Sequence, residues 1–133
     1  FLREFRNVVF FTCHSIEQVK HISKNLFSEM LNAASNVRCV HCEPVGWQLN
    51  DELMKTVEND QPIEFPKGSV NIFGEVSDHF SAFMPVNTGW NRNLIKVLRA
   101  LDTEGLIKIN FIDRNCSGNN FYNPSTLIQW DKR

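Results

Sequence analysis

The stretch Arg6-Asn7-Val8-Val9-Phe10-Phe11-Thr12 is an apolar run that predicts a buried β-strand. A segment with helical spacing follows it, and the chain then reaches Val37-Arg38-Cys39-Val40-His41-Cys42-Glu43, which has the composition of a second strand. A strand, a helix and a parallel partner strand together form a βαβ unit. The N-terminal third of the chain is therefore predicted to be such a unit.

The same order of elements occurs again further along the chain. His79-Phe80-Ser81-Ala82-Phe83-Met84 is strand-like, residues 88–103 have helical spacing, and Leu106-Ile107-Lys108-Ile109-Asn110-Phe111-Ile112-Asp113 closes the unit. Two such units predict an α/β fold, an open and mostly parallel sheet with helices packed on it. Residues 8–11 and 107–111 are then interior strands. Truncation of Phe11 or Phe111 to Ala is expected to cost about 3–5 kcal/mol.

Smaller signals complete the predicted element order. Ser15 is a candidate N-cap for a first helix over residues 16–31, and Gly105 is expected to end the second long helix. Residues 50–58 are predicted to form a short helix. Residues 69–76 and 126–130 are predicted strands, and residues 115–120 are predicted to be a loop.

The composition indicates one globular domain over residues 1–133. Apolar residues make up 42% of the chain and charged residues 22%, so a core can form. The net charge of −1 makes nucleic acid an unlikely partner. The longest apolar run, residues 8–11, is far shorter than a membrane span, and no membrane contact by this segment is expected. The chain begins with Phe1 rather than Met, and we expect it to be a piece of a larger protein.

Four cysteines raise the question of a metal site. Cys39 and Cys42 have CxxC spacing, and Cys13 and His14 end the neighbouring strand, which are ligand types that zinc accepts. Residues three apart on a strand face opposite sides, however, and the sequence contains no second CxxC or HxxxH pair. Buried apolar cysteines are the default, and no metal or cofactor is predicted. In an exported protein Cys13 is within easy reach of Cys42 or Cys39 for a disulfide.

Carboxylates at predicted strand ends suggest one catalytic alternative. Glu43, Glu75 and Asp113 all occupy such positions, where ligands of open α/β sheets bind. Together they would hold Mg²⁺ for a metal-dependent hydrolase or nuclease. The competing interpretation is that a strand has to end in polar residues.

A ligand site is predicted where the two units turn from strand to helix, at residues 12–15 and 87–89. Parallel strands place both turns at one sheet edge, where helix N-termini offer free N–H groups and a positive dipole. The predicted ligand-binding residues are Thr12, His14, Ser15, Glu75 and Thr88. Nucleophilic catalysis by Cys13 at the first turn is the alternative, because a helix N-terminus lowers a thiol pKa.

A winged-helix module that binds nucleic acid is a further alternative. Residues 91–103 would be its recognition helix, with Arg92, Lys96 and Arg99 on the outer face. The strands over 106–113 and 126–130 would form the wing. The N-terminal α/β unit has no place in that fold, so a solvated helix face is the preferred explanation of the basic stripe.

Residues 6–15, followed by an amphipathic helix, resemble the start of the amino-terminal extracellular region of insect ionotropic receptors. An apolar strand of that region often ends in Phe-x-Cys-Trp, and His14 stands here in place of Trp. The helix–strand step at residues 98–113 is also similar, as is the turn Asp113-x-x-Cys116-x-Gly118. The motifs cover about a third of the chain and do not keep the family's spacing. Asn115-Cys116-Ser117 would then be a glycosylation sequon.

The resemblance implies one lobe of a periplasmic-binding-like ectodomain, without catalytic residues, on the extracellular face of a cell membrane. Its partners would be a small-molecule ligand or a protein, and homo- or hetero-oligomers would form through the parent ligand-gated channel. We therefore expect a non-catalytic binding or assembly domain. A receptor lobe should show no convergence of Glu43, Glu75 and Asp113, whereas an enzyme should bring them into one cleft.

Overall fold

The computed structural model describes residues 5–65, 75–117 and 124–133. In this part of the chain the strands are β1 (Asn7–Cys13), β2 (Asn36–Glu43), β3 (Ile107–Ser117) and β4 (Ser125–Lys132). The α-helices are α1 (Lys24–Asn32), α2 (Asp51–Glu58), α3 (Glu75–Thr88) and α4 (Leu94–Thr103), and Ile16–Gln18 and Gly46–Leu49 form 3₁₀ turns.

The four strands form one mixed sheet in the order β1-β2-β4-β3. β1 and β2 are parallel, with Val8 opposite Val37, and this confirms the first βαβ unit. β4 is antiparallel to both β2 and β3. The α/β class is therefore confirmed, but the prediction of a mostly parallel sheet is wrong. β3 and β4 follow one another along the chain, and such neighbours pair antiparallel.

The second predicted βαβ unit does not exist, because residues 79–84 belong to helix α3. Over residues 78–88, where the burial of this helix is described, the buried positions are Asp78, Ser81, Ala82 and Pro85. This spacing of three and four residues is helical. Two of the four residues are polar, so the spacing of hydrophobic residues alone does not reveal the helical period. Most of the strand predicted over residues 69–76 lies outside the described residues.

β1 and β3 are edge strands, which corrects the prediction that they are interior. Phe11 is 65% exposed and Phe111 is 42% exposed. The interior positions belong to β2 and β4, whose residues Cys39, Ile128 and Trp130 are fully buried. The last strand was predicted over residues 126–130 and is confirmed.

The helices begin and end for identifiable local reasons. α1 starts after Ser23, whose hydroxyl accepts from the N–H of Asn25, rather than after Ser15. Asn50 caps α2, with its side chain accepting from two backbone N–H groups. α4 is followed by Gly105, which has a φ of +74° as expected at a helix end.

The main core lies between one sheet face and helices α1 and α4. α1 contributes Phe27 and Leu31, and α4 contributes a stripe of buried aliphatic residues, Leu94, Ile95, Val97, Leu98 and Leu101. A second, smaller cluster joins the 3₁₀ turn at Gly46–Leu49 to α2 and α3, and its residues are Trp47, Leu53, Val57, Ile63 and Ala82.

The other face of the sheet carries no described helix, and we call it the open face. Its residues alternate with the core residues along each strand: Val9, Phe11 and Cys13 of β1, Arg38, Val40 and Cys42 of β2, Leu127, Gln129 and Asp131 of β4, and Lys108, Phe111 and Asp113 of β3. Each of them is exposed or partly exposed. The fold is therefore a two-layer arrangement with one sheet face uncovered by the described elements.

Candidate functional site

The carboxylate of Glu43 accepts hydrogen bonds from the backbone N–H groups at the first predicted turn. Glu43 is fully buried, and its oxygens accept from the backbone N–H groups of Ser15, Ile16 and Glu17 at 3.2–3.3 Å. These are the groups that a ligand was expected to use. The strand-to-helix turn at residues 12–15 is thus closed by the end of β2, and the charge-assisted bonds hold it in place.

His14 connects this turn to the start of β4. Its Nε2 lies 2.8 Å from the hydroxyl of Ser125, and its Nδ1 lies 3.3 Å from a carboxylate oxygen of Glu17. A serine, an imidazole and a carboxylate in this order form the relay of a nucleophilic hydrolase. Ser125 is only 4% exposed, however, so a substrate carbonyl has no direct access to its oxygen. We interpret the three residues as a structural link that closes the end of the sheet.

Thr12 contacts a second histidine, His41, which lies in the core. The imidazole Nδ1 is 2.8 Å from the Thr12 hydroxyl, and Nε2 accepts from the indole N–H of Trp130 at 3.0 Å. Burial lowers the pKa of His41 to about 4. His41 and Glu43 were missed as structural residues, although alternation along β2 places both on the face of Val37 and Cys39.

The remaining predicted site residues are on α3. Thr88 is in its last turn, where its hydroxyl donates to the carbonyl of Met84, and Glu75 is its first residue, with a side chain outside the described part of the chain. Residues 87–89 are therefore the end of a helix and not a strand-to-helix turn. The premise that two equivalent turns share a sheet edge is wrong. A ligand site at Thr12, His14, Ser15, Glu75 and Thr88 stays a prediction.

Two of the three carboxylates proposed for a metal-dependent enzyme, Glu43 and Asp113, do not converge. Glu43 points to the core side of the sheet, whereas Asp113 is on the open face opposite Leu127. Among the described residues, no group of three or more His, Cys, Asp or Glu side chains is placed to hold a metal ion. The hydrolase alternative therefore loses its geometric basis.

The cysteines divide between the two faces, as strand alternation predicted. Cys39 is buried in the core, its sulfur is 3.4 Å from Nε2 of His41, and burial raises its thiol pKa to about 12. Cys13 and Cys42 are register partners on the open face, and both thiols are free. Cys39 and Cys42 thus cannot bind one zinc ion together.

The prediction that Arg92 belongs to an exposed basic stripe on α4 is wrong. Arg92 precedes the helix and is 9% exposed. Its guanidinium donates to the carbonyls of Val57 and Pro85, which lie near the ends of α2 and α3, and to the carboxylate of Asp60. Lys96 pairs with Glu58. Arg92 therefore joins three helices, and the winged-helix alternative loses a residue of its nucleic-acid surface.

Two asparagines complete this junction. Asn91 is buried, its amide donates to the carbonyl of Val19, and its side-chain oxygen accepts from the N–H of Leu94, the first residue of α4. Asn93 exchanges two hydrogen bonds with the backbone of Ile22, at 2.8 and 2.9 Å. The segment before α4 is therefore a structural junction between the first turn and the helical layer.

The open face exposes several large apolar side chains. Val9 is 66% exposed next to Phe11 on β1, and the exposed Phe111 lies on β3 at the opposite edge. At one end, Arg38 forms two hydrogen bonds with the carboxylate of Asp131, at 2.7 and 2.9 Å, and the pKa of Asp131 is lowered by this bond. Lys108 is also at this end, opposite Asp131 in register, and Asp113 is at the other. The face thus carries exposed apolar side chains between ends of opposite charge.

Comparison with protein-family models, curated proteins and solved structures finds no match to this chain. In the part of the chain that the structure describes, no helix is both long enough and apolar enough to cross a membrane.

Proposed function

We propose that this chain is a non-catalytic binding and assembly domain that associates with a second copy of itself through the open face. The observation that carries the proposal is the exposure of large apolar side chains on one uncovered sheet face: Val9, Phe11 and Phe111 are 66%, 65% and 42% exposed. Contiguous apolar patches on a domain surface are typical of interaction sites. A sheet face of this kind is covered in sandwich folds by the face of another sheet.

The charge pattern favours a second copy as the partner. We place the two-fold axis between two stacked open faces, perpendicular to the strands. β3 of one copy then lies over β3 of the other and runs in the opposite direction. Lys108 of each copy then lies against Asp113 of its mate, while Phe11 lies against Phe11 and Phe111 against Phe111 at the two edges of the stacked faces. Closed two-fold pairing with complementary charges is the commonest form of self-association in soluble proteins.

The size of the face sets the expected affinity. Four strands of five residues give a flat footprint of about 19 by 16 Å. This is smaller than the ~800 Å² per partner of a standard interface, so a weak dimer with a Kd of roughly 10–100 μM is expected. Assembly would then depend on the local concentration that a parent protein provides.

Sedimentation velocity tests the proposal. The wild-type protein should sediment faster as its concentration rises from about 1 μM to about 500 μM, across the expected Kd. Phe11→Lys should stay monomeric over the same range because it places a charge between the two stacked faces. Leu26→Lys is the matched control, since Leu26 is 44% exposed on α1, away from the open face. A wild-type protein that remains monomeric, or a Phe11→Lys protein that dimerises normally, contradicts the proposal.

A charge exchange tests the orientation of the two copies. Lys108→Asp and Asp113→Lys should each weaken the dimer by about fivefold, because each places like charges together. The double variant should recover the wild-type affinity within about twofold. Additive losses in the double variant would rule out the antiparallel stacking.

The finer proposal, an ectodomain lobe of a ligand-gated channel-type receptor, is supported only by the resemblance of residues 6–15 and 98–118 to ionotropic receptors. Its test is the sequence that flanks this chain in the complete coding region. Flanking membrane spans and a channel-type domain support it, and a flanking soluble catalytic domain contradicts it.

A further inference from the structure

We propose that Cys13 and Cys42 are a paired-thiol redox site, oxidised to a disulfide by low-molecular-weight disulfides such as glutathione disulfide. The two residues end β1 and β2 and are direct register partners on the open face. Desolvation and the neighbouring Cys42 raise the pKa of the Cys13 thiol. The site is thus a pair of adjacent sulfurs on neighbouring strands.

The usual spacing of neighbouring strands is within the range that a disulfide spans. Neighbouring strands are about 4.8 Å apart, and the Cα atoms of disulfides lie about 4.4–6.8 Å apart. Both side chains leave the sheet on the same side, because the register pairs them directly. Cys39 is on the core side and is buried, so it cannot replace Cys42.

Accessibility distinguishes Cys13 from the other thiols, and Cys116 is partly exposed like Cys42. Cys13 is exposed and Cys42 is partly exposed, whereas Cys39 is buried. Cys116 is near the other edge of the sheet, where its sulfur contacts the carbonyl of Ser125 at 3.5 Å. A small disulfide can therefore reach Cys13 first.

The exchange proceeds in two balanced steps. The Cys13 thiolate attacks one sulfur of glutathione disulfide, forms a mixed disulfide and releases one glutathione thiolate. The Cys42 thiolate then attacks the Cys13 sulfur, closes the protein disulfide and releases the second glutathione. Two protein thiols lose two electrons and two protons, and one glutathione disulfide is reduced to two glutathione molecules.

The disulfide would fasten an edge strand that has one neighbour. β1 pairs with β2 alone, so it has fewer cross-strand hydrogen bonds than β2 or β4. A disulfide at the C-terminal end of β1 would close a covalent loop between residues 13 and 42. This loop contains the first 3₁₀ turn and α1. The oxidised protein should have a melting temperature higher by roughly 5–10 °C. Exchange of the β1 amides should slow by about tenfold.

The test is equilibration of the intact protein with glutathione redox buffers, followed by denaturation and labelling of the remaining thiols with a maleimide polymer. Wild-type protein should lose two labelled thiols on oxidation, and peptide mapping should join Cys13 to Cys42. Cys13→Ser and Cys42→Ser should each abolish that paired loss. Cys39→Ser and Cys116→Ser are the matched controls and should retain it.

Two outcomes would overturn the proposal: oxidation that stops at a glutathione adduct of the wild-type protein, or a paired loss that requires Cys116. The assay is run near 1 μM protein, well below the expected dimer Kd, so it does not depend on self-association. Failure of the redox site and failure of the proposed dimer are therefore observed separately.

Discussion

Trp130 of β4 donates its indole N–H to Nε2 of His41 on β2, at 3.0 Å. An indole nitrogen is only a donor, so Nε2 must be the acceptor, and the proton of the neutral imidazole is on Nδ1. Nδ1 then donates to the hydroxyl of Thr12 at 2.8 Å, which ties three strands together. Protonation of Nε2 would break the bond to Trp130, which agrees with the lowering of the His41 pKa to about 4 by burial.

The first prediction follows from this pKa. The unfolded chain binds a proton at His41 below about pH 6.5, while the folded protein does so only near pH 4. Stability is therefore fully present above pH 6.5 and is lost as the pH falls to about 4, by at most about 3 kcal/mol. Urea unfolding across this range measures the effect. His41→Gln should remove this contribution, and His21→Gln, an exposed control, should keep the wild-type slope.

Glu43 provides the second prediction. Glu43→Gln keeps the side-chain shape but replaces one accepting oxygen by an N–H₂ group that faces backbone N–H donors. The loss of charge-assisted bonds should destabilise the protein by about 1.5–3 kcal/mol. Glu29→Gln, at an exposed position of α1, should change the free energy of unfolding by less than about 0.5 kcal/mol. Equal effects of the two substitutions would show that the Glu43 bonds contribute little.

Arg92 provides the third prediction. Arg92→Lys keeps the charge, but an ammonium group cannot reach the carbonyls of Val57 and Pro85 and the carboxylate of Asp60 with one planar fork. We expect a loss of at least about 2 kcal/mol in thermal or chemical unfolding. The matched substitution Arg99→Lys, on the exposed side of α4, should be neutral within about 0.5 kcal/mol. A neutral Arg92→Lys protein would contradict the role of Arg92 as a junction.

The fourth prediction reverses an expectation drawn from sequence. Because Phe11 and Phe111 are 65% and 42% exposed, Phe11→Ala and Phe111→Ala should each cost less than about 1 kcal/mol. Phe27→Ala is the contrast, since Phe27 is fully buried against His41 and Trp130 and should cost about 3–5 kcal/mol. Calorimetry of the three variants should separate them clearly.

Local signals in the sequence predicted part of the local structure. The parallel pair of β1 and β2, the short helix α2, the helix end at Gly105 and the final strand follow from hydrophobic spacing and turn chemistry. Residues 115–117 were predicted to be a loop and belong to β3. The order of the strands could not be read, because β4 inserts between β2 and β3 through long-range pairing. An apolar run such as residues 8–11 also does not reveal whether one face or both are covered.

The predicted site also depends on contacts that are distant in the sequence. His14 and Thr12 are at the predicted sheet end, but the partners that determine their roles, Ser125 and His41, lie far away in the sequence. Arg92 was predicted on a solvated face because the helix was expected to include residues 91–93, whereas α4 begins at Leu94. Its burial depends on carbonyls from two other helices, which no local pattern contains.

The most direct test of the open face as the binding surface is solvent paramagnetic relaxation of methyl groups, measured in the wild-type protein below and above the dimer Kd. With a soluble gadolinium probe, the methyls of Val9, Val40 and Leu127 should lose most of their enhancement at high concentration, and those of Leu26 and Leu106 should keep it. Unchanged enhancement at Val9, Val40 and Leu127 in a sample that sediments as a dimer would contradict the account.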